Sequence, residues 1–352
     1  MDSRHFIFEL KIKMRIDLRS DTITQPTAEM KTAMMQAKLG DDVFHEDPSV
    51  NELEEFVADM FGKEKALFCP SGTMTNQIAI KVHTQPGDEI ICDRSAHIYN
   101  YEGGGIGFNS GASVRLIEGD LGRFTLNDVI ENINPDNDHY PRTAMVSIEN
   151  TVNRGGGSIW NIAEIERIST FCSENNLKIH LDGARLFNAL TETHETCLQH
   201  GSLFDSLSLC LSKGLGAPAG SVLCGDSYFI DKARRIRKVF GGGMRQAGIL
   251  ASAGIYALKH HVHRLKDDHL KAKILAKHIS ETYFCLKVLP VETNILIFEL
   301  KPEYKTDVIL RKLAENNIYA LNIGKQRIRM VTHLDFTDLM LEKACEILKL
   351  MS

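Results

Sequence analysis

The stretch Ser208–Gly225, "SLCLSKGLGAPAGSVLCG", places a single lysine between two apolar runs. Lys213 ends the first run and is followed by a loop rich in glycine, proline and alanine. A lysine that serves solubility is expected on a wet helix face or in a charged loop, but both segments here have the pattern of buried strands. We therefore predict a strand, a loop that carries Lys213, and a second buried strand.

Short apolar runs alternate with helical patterns on either side of this stretch. One helical pattern is Ile162, Ile165, Ile168 and Phe171, which recur at helical spacing with charges on the opposite side. The strand-like runs are apolar on both faces, as in central strands of a mainly parallel sheet, and comprise residues 65–69, 88–93, 143–150, 177–182, 206–212 and 220–225. The alternation predicts an α/β fold with helices covering the sheet.

The order of helical and strand-like segments changes near residue 266. Helical and strand-like segments of a smaller α+β unit follow, among them "ETNILIFEL" and "RIRMVTH". We predict a large domain over residues 29–265 and a small C-terminal domain over residues 266–352, preceded by an N-terminal arm over residues 1–28.

Composition excludes several classes of function. The 352 residues carry a formal net charge of -5, so a nucleic-acid partner is not expected. The 8 cysteines are scattered without a C-x-x-C pair, which argues against a disulfide framework or a metal site. The sequence contains neither a signal peptide nor a membrane-span pattern, and we expect a soluble, cytoplasmic protein.

Three polar groups follow predicted strands, where ligands of open α/β sheets gather. Ser71, Gly72 and Thr73 begin a helix pattern, Asp182 ends "KIHL", and Lys213 follows "SLSLCLS". Taken singly, the first group is an ordinary helix cap, Asp182 caps a loop, and Lys213 is a snorkelling or ion-paired lysine.

Together the three groups favour a more specific reading. A strand-end carboxylate can hold a pyridinium nitrogen, a desolvated lysine can form a Schiff base with an aldehyde, and a helix N-terminus can bind phosphate. That combination is typical of a pyridoxal 5'-phosphate (PLP) site, with the cofactor covalently bound to Lys213.

The sequence resembles the low-specificity threonine aldolases, which are fold-type I PLP enzymes with the PLP-dependent transferase-like (aspartate aminotransferase) fold. The matching blocks run from about residue 16 to 335 and include "IDLRSDTIT" (16–24), "GDDVFHEDPSVNELE" (40–54), "PSGTMTNQ" (70–77), "AHIYNYEGGG" (96–105), "HLDGARLFNA" (180–189), "LSKGLGAPAGSVL" (211–223), "GGGMRQAGILASAGIYAL" (241–258) and "RMVTHLD" (329–335).

The resemblance implies a role for each matching residue. Lys213 would bind the cofactor, Asp182 would pair with its ring nitrogen, and His97 would stack on its ring. The implied cofactor-binding set is Ser71, Gly72, Thr73, His97, Asp182, Arg185, Lys213 and Arg245. Arg245 would reach a phosphate across a subunit interface, and its plain alternative is a solvated base on a basic face.

The substrate would be held by groups from both ends of the chain. The resemblance implies that Ser20, in the N-terminal arm, and Arg329 bind the substrate carboxylate, with Arg185 nearby. Arg327 and Arg329 face the same way on a strand, so only the family motif favours Arg329. His139 matches a family histidine near the substrate hydroxyl, and the catalytic base is left open among His97, His139 and a held water.

The implied reaction is cleavage of threonine or allo-threonine to glycine and acetaldehyde by a homotetramer with active sites between subunits. One departure is "ENTVN", where Val152 replaces the histidine of the usual "ENTHN". The alternatives are an amino-acid β-eliminating lyase on the same fold, a PLP-binding protein with weak catalysis, and an α/β binding module without PLP.

Overall fold

The computed structural model describes residues 14–352, so the first 13 residues of the predicted N-terminal arm lie outside the described residues. Strands and helices alternate through most of this range. The strands are β1 (Ile16–Asp17), β2 (Lys65–Cys69), β3 (Glu89–Asp93), β4 (Ser113–Ile117), β5 (Thr143–Glu149), β6 (Lys178–Gly183), β7 (Ser206–Cys210), β8 (Ser221–Gly225), β9 (Cys285–Val288), β10 (Ile295–Leu300), β11 (Ile318–Tyr319), β12 (Leu321–Asn322) and β13 (Arg327–Val331).

The helices cover the sheets and are mostly short. They are α1 (Ala28–Met35), α2 (Pro48–Phe61), α3 (Gly72–His83), α4 (His97–Asn100), α5 (Leu126–Glu131), α6 (Ile162–Glu174), α7 (Leu186–Glu192), α8 (Cys197–Leu203), α9 (Ser227–Val239), α10 (Gly248–His260), α11 (Leu265–Ser280), α12 (Thr306–Glu315) and α13 (Asp338–Lys349). Among the described residues, no helix is both long enough and apolar enough to cross a membrane.

The main sheet has seven strands in the order β2-β8-β7-β6-β5-β3-β4. All of its strands run in one direction except β8, which pairs antiparallel with both β2 and β7. The six predicted strands all form, and the predicted α/β fold with a mainly parallel sheet is confirmed. The pattern missed β4, a half-exposed edge strand, because its alternation of burial is weak.

The strands at the centre of this sheet are buried on both faces. Every residue of β3, β5, β7 and β8 is buried. At the entry to β8, Gly220 has a φ of 110°, and a Cβ there would lie 2.5 Å from the Phe68 ring. Glycine therefore allows the chain to reverse direction against β2 at this position.

The C-terminal part of the chain contains a second sheet of four strands in the order β12-β13-β10-β9. Its core includes Phe284, Phe298 and Phe336, and it also includes Ile16 and Leu18 from the start of the described chain. The N-terminal segment is held there by the parallel pairing of β1 with β11. The domain boundaries at residues 28/29 and 265/266 stay a prediction.

Directionality of the strands defines the edge at which a site can form. The carboxyl ends of β2, β3, β5, β6 and β7 meet at one edge of the main sheet. Because β8 runs the other way, its first residue, Ser221, lies at that same edge opposite Cys69 and Cys210.

Candidate active site

Lys213 lies three residues beyond the end of β7, at the carboxyl edge of the sheet. The residue is half-buried, and its backbone carbonyl accepts a hydrogen bond from the Thr24 hydroxyl at 2.8 Å. Its ammonium group forms no ion pair or hydrogen bond with any residue between 14 and 352. A partly desolvated lysine without a direct ion-pair partner can act as an amine nucleophile, and covalent attachment of a cofactor to Lys213 stays a prediction.

Asp182 lies on the neighbouring strand β6 and is almost fully buried. Its Oδ2 accepts a hydrogen bond from the Asn76 side-chain amide at 2.9 Å, and its Oδ1 accepts one from the Ala184 backbone N–H at 3.2 Å. These bonds fix the carboxylate while leaving acceptor capacity for a further donor.

Asn76 connects Asp182 to two other buried groups. Its amide nitrogen also donates to Glu102 Oε1 at 2.8 Å, and its Oδ1 lies 3.1 Å from Nε2 of His180. Because Oδ1 can only accept, His180 must carry its proton on Nε2, and Nδ1 then accepts from the Ser206 hydroxyl at 2.8 Å. Every polar group of the Asn76 amide is therefore satisfied.

His97 begins α4 beside this network. Its Nδ1–H donates to Glu102 Oε1 at 3.0 Å, and its side chain is 29% exposed. Burial alone would lower the pKa of His97, but the hydrogen bond to Glu102 and the charge of Asp182 raise it above its ordinary value. The Tyr101 ring lies with its centroid 5.6 Å from that of His97, so one face of the site is aromatic.

The start of α3 forms a cradle of N–H groups. Ser71 is the N-cap, and its Oγ accepts from the Met74 N–H at 3.2 Å. The N–H groups of Gly72 and Thr73 belong to the first turn, where no intrahelical acceptor exists. Ser221 Oγ lies beside this turn, is buried, and has no hydrogen-bond partner among the described residues.

Arg329 lies on β13 and faces the same edge. Its Nη1 donates to Asn153 Oδ1 at 2.5 Å, and its Nη2 donates to the Arg19 carbonyl at 3.0 Å. Arg19 is the residue that precedes Ser20 in the sequence. The Nε of Arg329 is buried and unpartnered within the described chain. Burial, followed by the charge of Arg185, lowers the pKa of Arg329 to about 10.

Arg327, the alternative raised by strand spacing, is bound elsewhere. Its Nε donates to Glu299 at 2.7 Å on the small sheet. Ser20 caps the turn that follows it, and its Oγ accepts from the Thr22 N–H at 3.2 Å and from the Thr22 hydroxyl at 2.9 Å. The geometry thus distinguishes the two arginines where spacing did not.

Arg185 is buried and forms a bidentate ion pair with Asp21, at 2.8 and 2.6 Å. Burial would raise the pKa of Asp21, but the charge and hydrogen bonds of Arg185 hold it well below its ordinary value. The ion pair links the N-terminal segment to the start of α7. It also occupies two donors of the guanidinium, so only the remaining N–H groups of Arg185 can contact a substrate or cofactor.

Arg245 lies away from this cluster in the single chain. Its Nη1 donates to Asp41 at 2.8 Å, and its side chain is 55% exposed. The role at a phosphate across a subunit interface that the resemblance implies stays a prediction.

His139 also lies outside the cluster. It is exposed in the loop before β5, at the amino edge of the sheet, whereas the site lies at the carboxyl edge. The seven residues of β5 separate the two edges by roughly 20 Å. The structure does not bring His139 to the site of its own chain, and its role near the substrate hydroxyl stays a prediction of the resemblance.

Several residues of the site were missed by the sequence analysis. Asn76, Glu102 and Ser221 are in or next to matching blocks, but their partners are distant in sequence. Glu149 is the fourth, and it is the last residue of β5, register-paired with Asp182. Its position at the carboxyl end of a predicted strand was a usable signal, identical in kind to that of Asp182.

Glu149 is a buried carboxylic acid with two backbone donors. Oε2 accepts the His97 N–H at 2.7 Å, and Oε1 accepts the Asn153 N–H at 2.8 Å. Burial, followed by the charge of Asp182, raises the pKa of Glu149 to about 7.

Val152, the departure from the family motif, is buried and packs against the 122 position. A Cβ on Gly122 would lie 2.4 Å from Val152 Cγ1, so the two residues are in close contact. The side chain belongs to the main apolar core and carries no polar group toward the site.

These residues fit PLP. The unpartnered Ser221 hydroxyl and the first turn of α3 offer donors for a phosphate, and Asp182 offers an acceptor for a ring N–H. The unpaired Lys213 amine offers the covalent attachment, and the orphaned Nε of Arg329 offers a donor for a carboxylate. The donors for a phosphate, the acceptor for a ring N–H and the donor for a carboxylate all lie along one sheet edge. Such a set can bind PLP together with an amino-acid substrate.

Comparison with known proteins identifies the family. The sequence model described as beta-eliminating lyase matches residues 17–302. A low specificity L-threonine aldolase of Escherichia coli K12 is 40% identical over 321 residues, covering 91% of this chain and 94% of that protein. Low-specificity L-threonine aldolase 1 of Arabidopsis thaliana is 38% identical over 329 residues, covering 92% of each.

Solved structures share the fold. A threonine aldolase of Leishmania major superposes with a TM-score of 0.82 at 21% identity, covering 96% of this chain and 100% of that one. A serine palmitoyltransferase of Sphingomonas wittichii gives a TM-score of 0.74 at 15% identity, covering 96% and 87%. The chain therefore belongs to the beta-eliminating lyase family, the family of the low-specificity L-threonine aldolases that it resembles in sequence.

Proposed function

We propose that this protein is a PLP-dependent threonine aldolase that cleaves threonine or allo-threonine to glycine and acetaldehyde. The observation that carries the proposal is the convergence of Lys213, Asp182, the α3 cradle and Arg329 on one sheet edge. Relatives with 38–40% identity over more than nine-tenths of the chain carry threonine aldolase names, which supports the same reaction.

Residues at the sheet edge would hold the cofactor by its three functional parts. Lys213 binds the aldehyde carbon, Asp182 keeps the ring nitrogen protonated, and the N–H groups of Gly72 and Thr73 bind the phosphate. When bound, PLP supplies an electron-accepting ring that stabilises negative charge at the substrate α-carbon. His97 covers one face of the ring and helps to exclude water from it.

The substrate carboxylate is bound by Arg329 and Ser20. The free Nε of Arg329 and its neighbouring N–H groups can bind a carboxylate through two bonds, which fixes orientation as well as affinity. Arg185 contributes positive charge nearby while it remains paired with Asp21. This grip orients the α–β carbon bond relative to the cofactor ring.

The β-hydroxyl proton needs a base, and His97 is the titratable histidine within this cluster. With Nδ1–H donated to Glu102, the Nε2 of a neutral His97 is an acceptor. A positioned base contributes about 10²–10⁴-fold to rate. The alternatives are a water held by this histidine and the His139 of another subunit.

Two residues that the resemblance assigns to the site support a proposed assembly. Arg245 is exposed and His139 lies at the opposite sheet edge, so in the proposed oligomer both would act on the site of a partner. A homotetramer built from dimers, located in the cytoplasm and taking part in threonine catabolism and glycine formation, is the arrangement that we propose.

Incubating the PLP-loaded protein with threonine, allo-threonine, phenylserine and tyrosine tests the proposal. Glycine and the matching aldehyde should form in equal amounts from the β-hydroxy substrates. A second candidate is a β-eliminating lyase, favoured by the family model that matches residues 17–302, and it would release ammonia and a keto acid instead. Bound cofactor without any turnover would favour a PLP-binding protein with weak catalysis.

A further inference from the structure

We propose that Glu149 is a positioning residue that holds His97 and Arg329 in fixed relation to each other across the active site. This inference rests on the proposed function, because it assigns those two residues to the cofactor ring and the substrate carboxylate. Glu149 itself contacts neither group, since both of its oxygens face backbone N–H groups.

Two hydrogen bonds accepted by Glu149 form what we call the Glu149 bridge between His97 and Asn153. Its first arm reaches the loop after β3. Glu149 Oε2 accepts the backbone N–H of His97 at 2.7 Å, at the first residue of α4. The Ala96 N-cap has no side-chain acceptor, so this helix start depends on a carboxylate from another strand. Glu149 therefore fixes the backbone position of His97, from which the imidazole extends.

The second arm reaches the loop after β5 and, through it, the small sheet. Glu149 Oε1 accepts the Asn153 N–H at 2.8 Å, and the Asn153 side chain accepts Nη1 of Arg329 at 2.5 Å. Arg329 lacks a carboxylate partner among residues 14–352, so Asn153 and the Arg19 carbonyl are what orient it. A displacement of Asn153 would be passed directly to the guanidinium.

The chemistry of this bridge requires a carboxylate. Two N–H donors approach its two oxygens, and an amide would present its own NH2 group to one of them. Burial and the nearby Asp182 charge oppose ionisation, which makes Glu149 a costly residue for packing alone. The two bonds that it accepts give a physical reason for a carboxylate at this position.

The variant Glu149→Gln tests this role, with Glu54→Gln as a matched control. Glu54 is also buried, and its two oxygens accept the Phe68 N–H at 2.8 Å and Arg234 Nη2 at 2.7 Å, but its two partners are outside the catalytic cluster. Both variants should lose stability in urea. Only Glu149→Gln should weaken glycine binding to the PLP-loaded protein, by about tenfold or more, read from the cofactor's visible absorbance.

Three further readouts separate positioning from general stability. KM for threonine should rise more than kcat falls in Glu149→Gln, PLP should remain bound, and adding Asn153→Ala should cause little additional loss of glycine affinity. Amide hydrogen exchange should accelerate at residues 97 and 153. Glycine affinity within twofold of the unaltered protein, or a loss equal to that of Glu54→Gln, would overturn the proposal.

Amide exchange in the unaltered protein keeps the test independent of whether the variant folds. The His97 and Asn153 amides should both be protected in the absence of PLP, and rapid exchange at either would refute the bridge. Failure of the proposed function has a different signature, in which threonine is not cleaved while both amides stay protected.

Discussion

Asp182 has a bonding pattern that fixes its carboxyl group at the sheet edge. Asn76 and the Ala184 N–H occupy part of its acceptor capacity and leave room for one more donor. A cofactor ring N–H is a donor that this remaining capacity can accept. Asn76 is in turn fixed by His180, so the carboxylate has little freedom to rotate.

Replacing Asp182 with asparagine should lower turnover by about a hundredfold or more, because the charge that stabilises the protonated ring nitrogen is lost. Cofactor affinity should fall much less, since Lys213 and the α3 cradle are unchanged. Steady-state kinetics and a PLP titration measure the two effects. Equal losses in turnover and cofactor affinity would point to a purely structural role.

Arg329 is a separate case, because its charge lies in a buried setting without a carboxylate. Arg329→Lys should raise KM for threonine about tenfold or more and change kcat less, since a lysine cannot form a two-point contact with a carboxylate. Arg327→Lys is the matched control, because Arg327 pairs with Glu299 instead. An unchanged KM in Arg329→Lys would mean that another residue binds the carboxylate.

At the scale of elements, a hydrogen-bonded chain links α3, β6 and β7. His83 Nε2 lies 2.8 Å from Ser206 Oγ, which lies 2.8 Å from His180 Nδ1. Burial lowers the pKa of His180 to about 4, and burial with the nearby His180 lowers that of His83 to about 3. Both imidazoles are therefore neutral in the folded protein near neutral pH.

Neutral histidines make part of the stability sensitive to acid. Their ordinary pKa is 6.5, so the unfolded chain binds more protons than the folded one as pH falls below that value. The stabilisation is fully present above pH 6.5 and is lost as pH decreases toward 4. We expect His83→Gln to flatten this part of the curve of unfolding free energy against pH, measured by urea denaturation.

Glu149 affects the pH dependence of stability in the opposite direction to the two histidines. The effect of His83 is therefore measured as the difference in unfolding free energy between the unaltered protein and His83→Gln. The raised pKa of Glu149 means that the folded protein binds its proton more tightly between pH 4.5 and about 7, so this group alone makes stability decrease as pH rises through that window. The difference between the unaltered protein and His83→Gln removes this shared contribution. A difference that does not change with pH would contradict the account of His83.

Strands that are buried on both faces could be predicted from the sequence. Features that depend on a neighbouring strand or on a residue distant in sequence could not. The six apolar runs became strands because burial on both faces leaves a continuous apolar signal. The edge strand β4 and the antiparallel direction of β8 left no such signal. Glu149 and Asn76 were missed for a related reason, since their importance lies in contacts between residues 26 to 106 positions apart or with neighbouring loops.

At the scale of the whole molecule, the proposed assembly would add Arg245 and His139 of a partner to the site of one chain. Lys213, Asp182 and Arg329 were predicted from three separate blocks of the sequence and lie at one edge of the main sheet. The roles of Arg245 and His139 could be predicted only by resemblance, because a chain's own sequence does not contain the geometry of its assembly.

Mixing two inactive variants tests the shared site. Lys213→Ala and Arg245→Ala homo-oligomers should each have little activity, but a mixed dimer has one site with both native residues. Random reassembly of equal amounts should restore about a quarter of the activity. Recovery should require dissociation and reassembly, and an absence of recovery in verified hybrids would place both residues in the same chain's site.

The covalent attachment of the cofactor to Lys213 is the central claim. Reduction of the PLP-loaded protein with borohydride, followed by proteolysis and mass spectrometry, locates the attachment directly. We predict a single pyridoxyl-modified peptide with the label on Lys213, and no labelled peptide from Lys213→Ala. A label on a different lysine, or no label at all, would contradict the account.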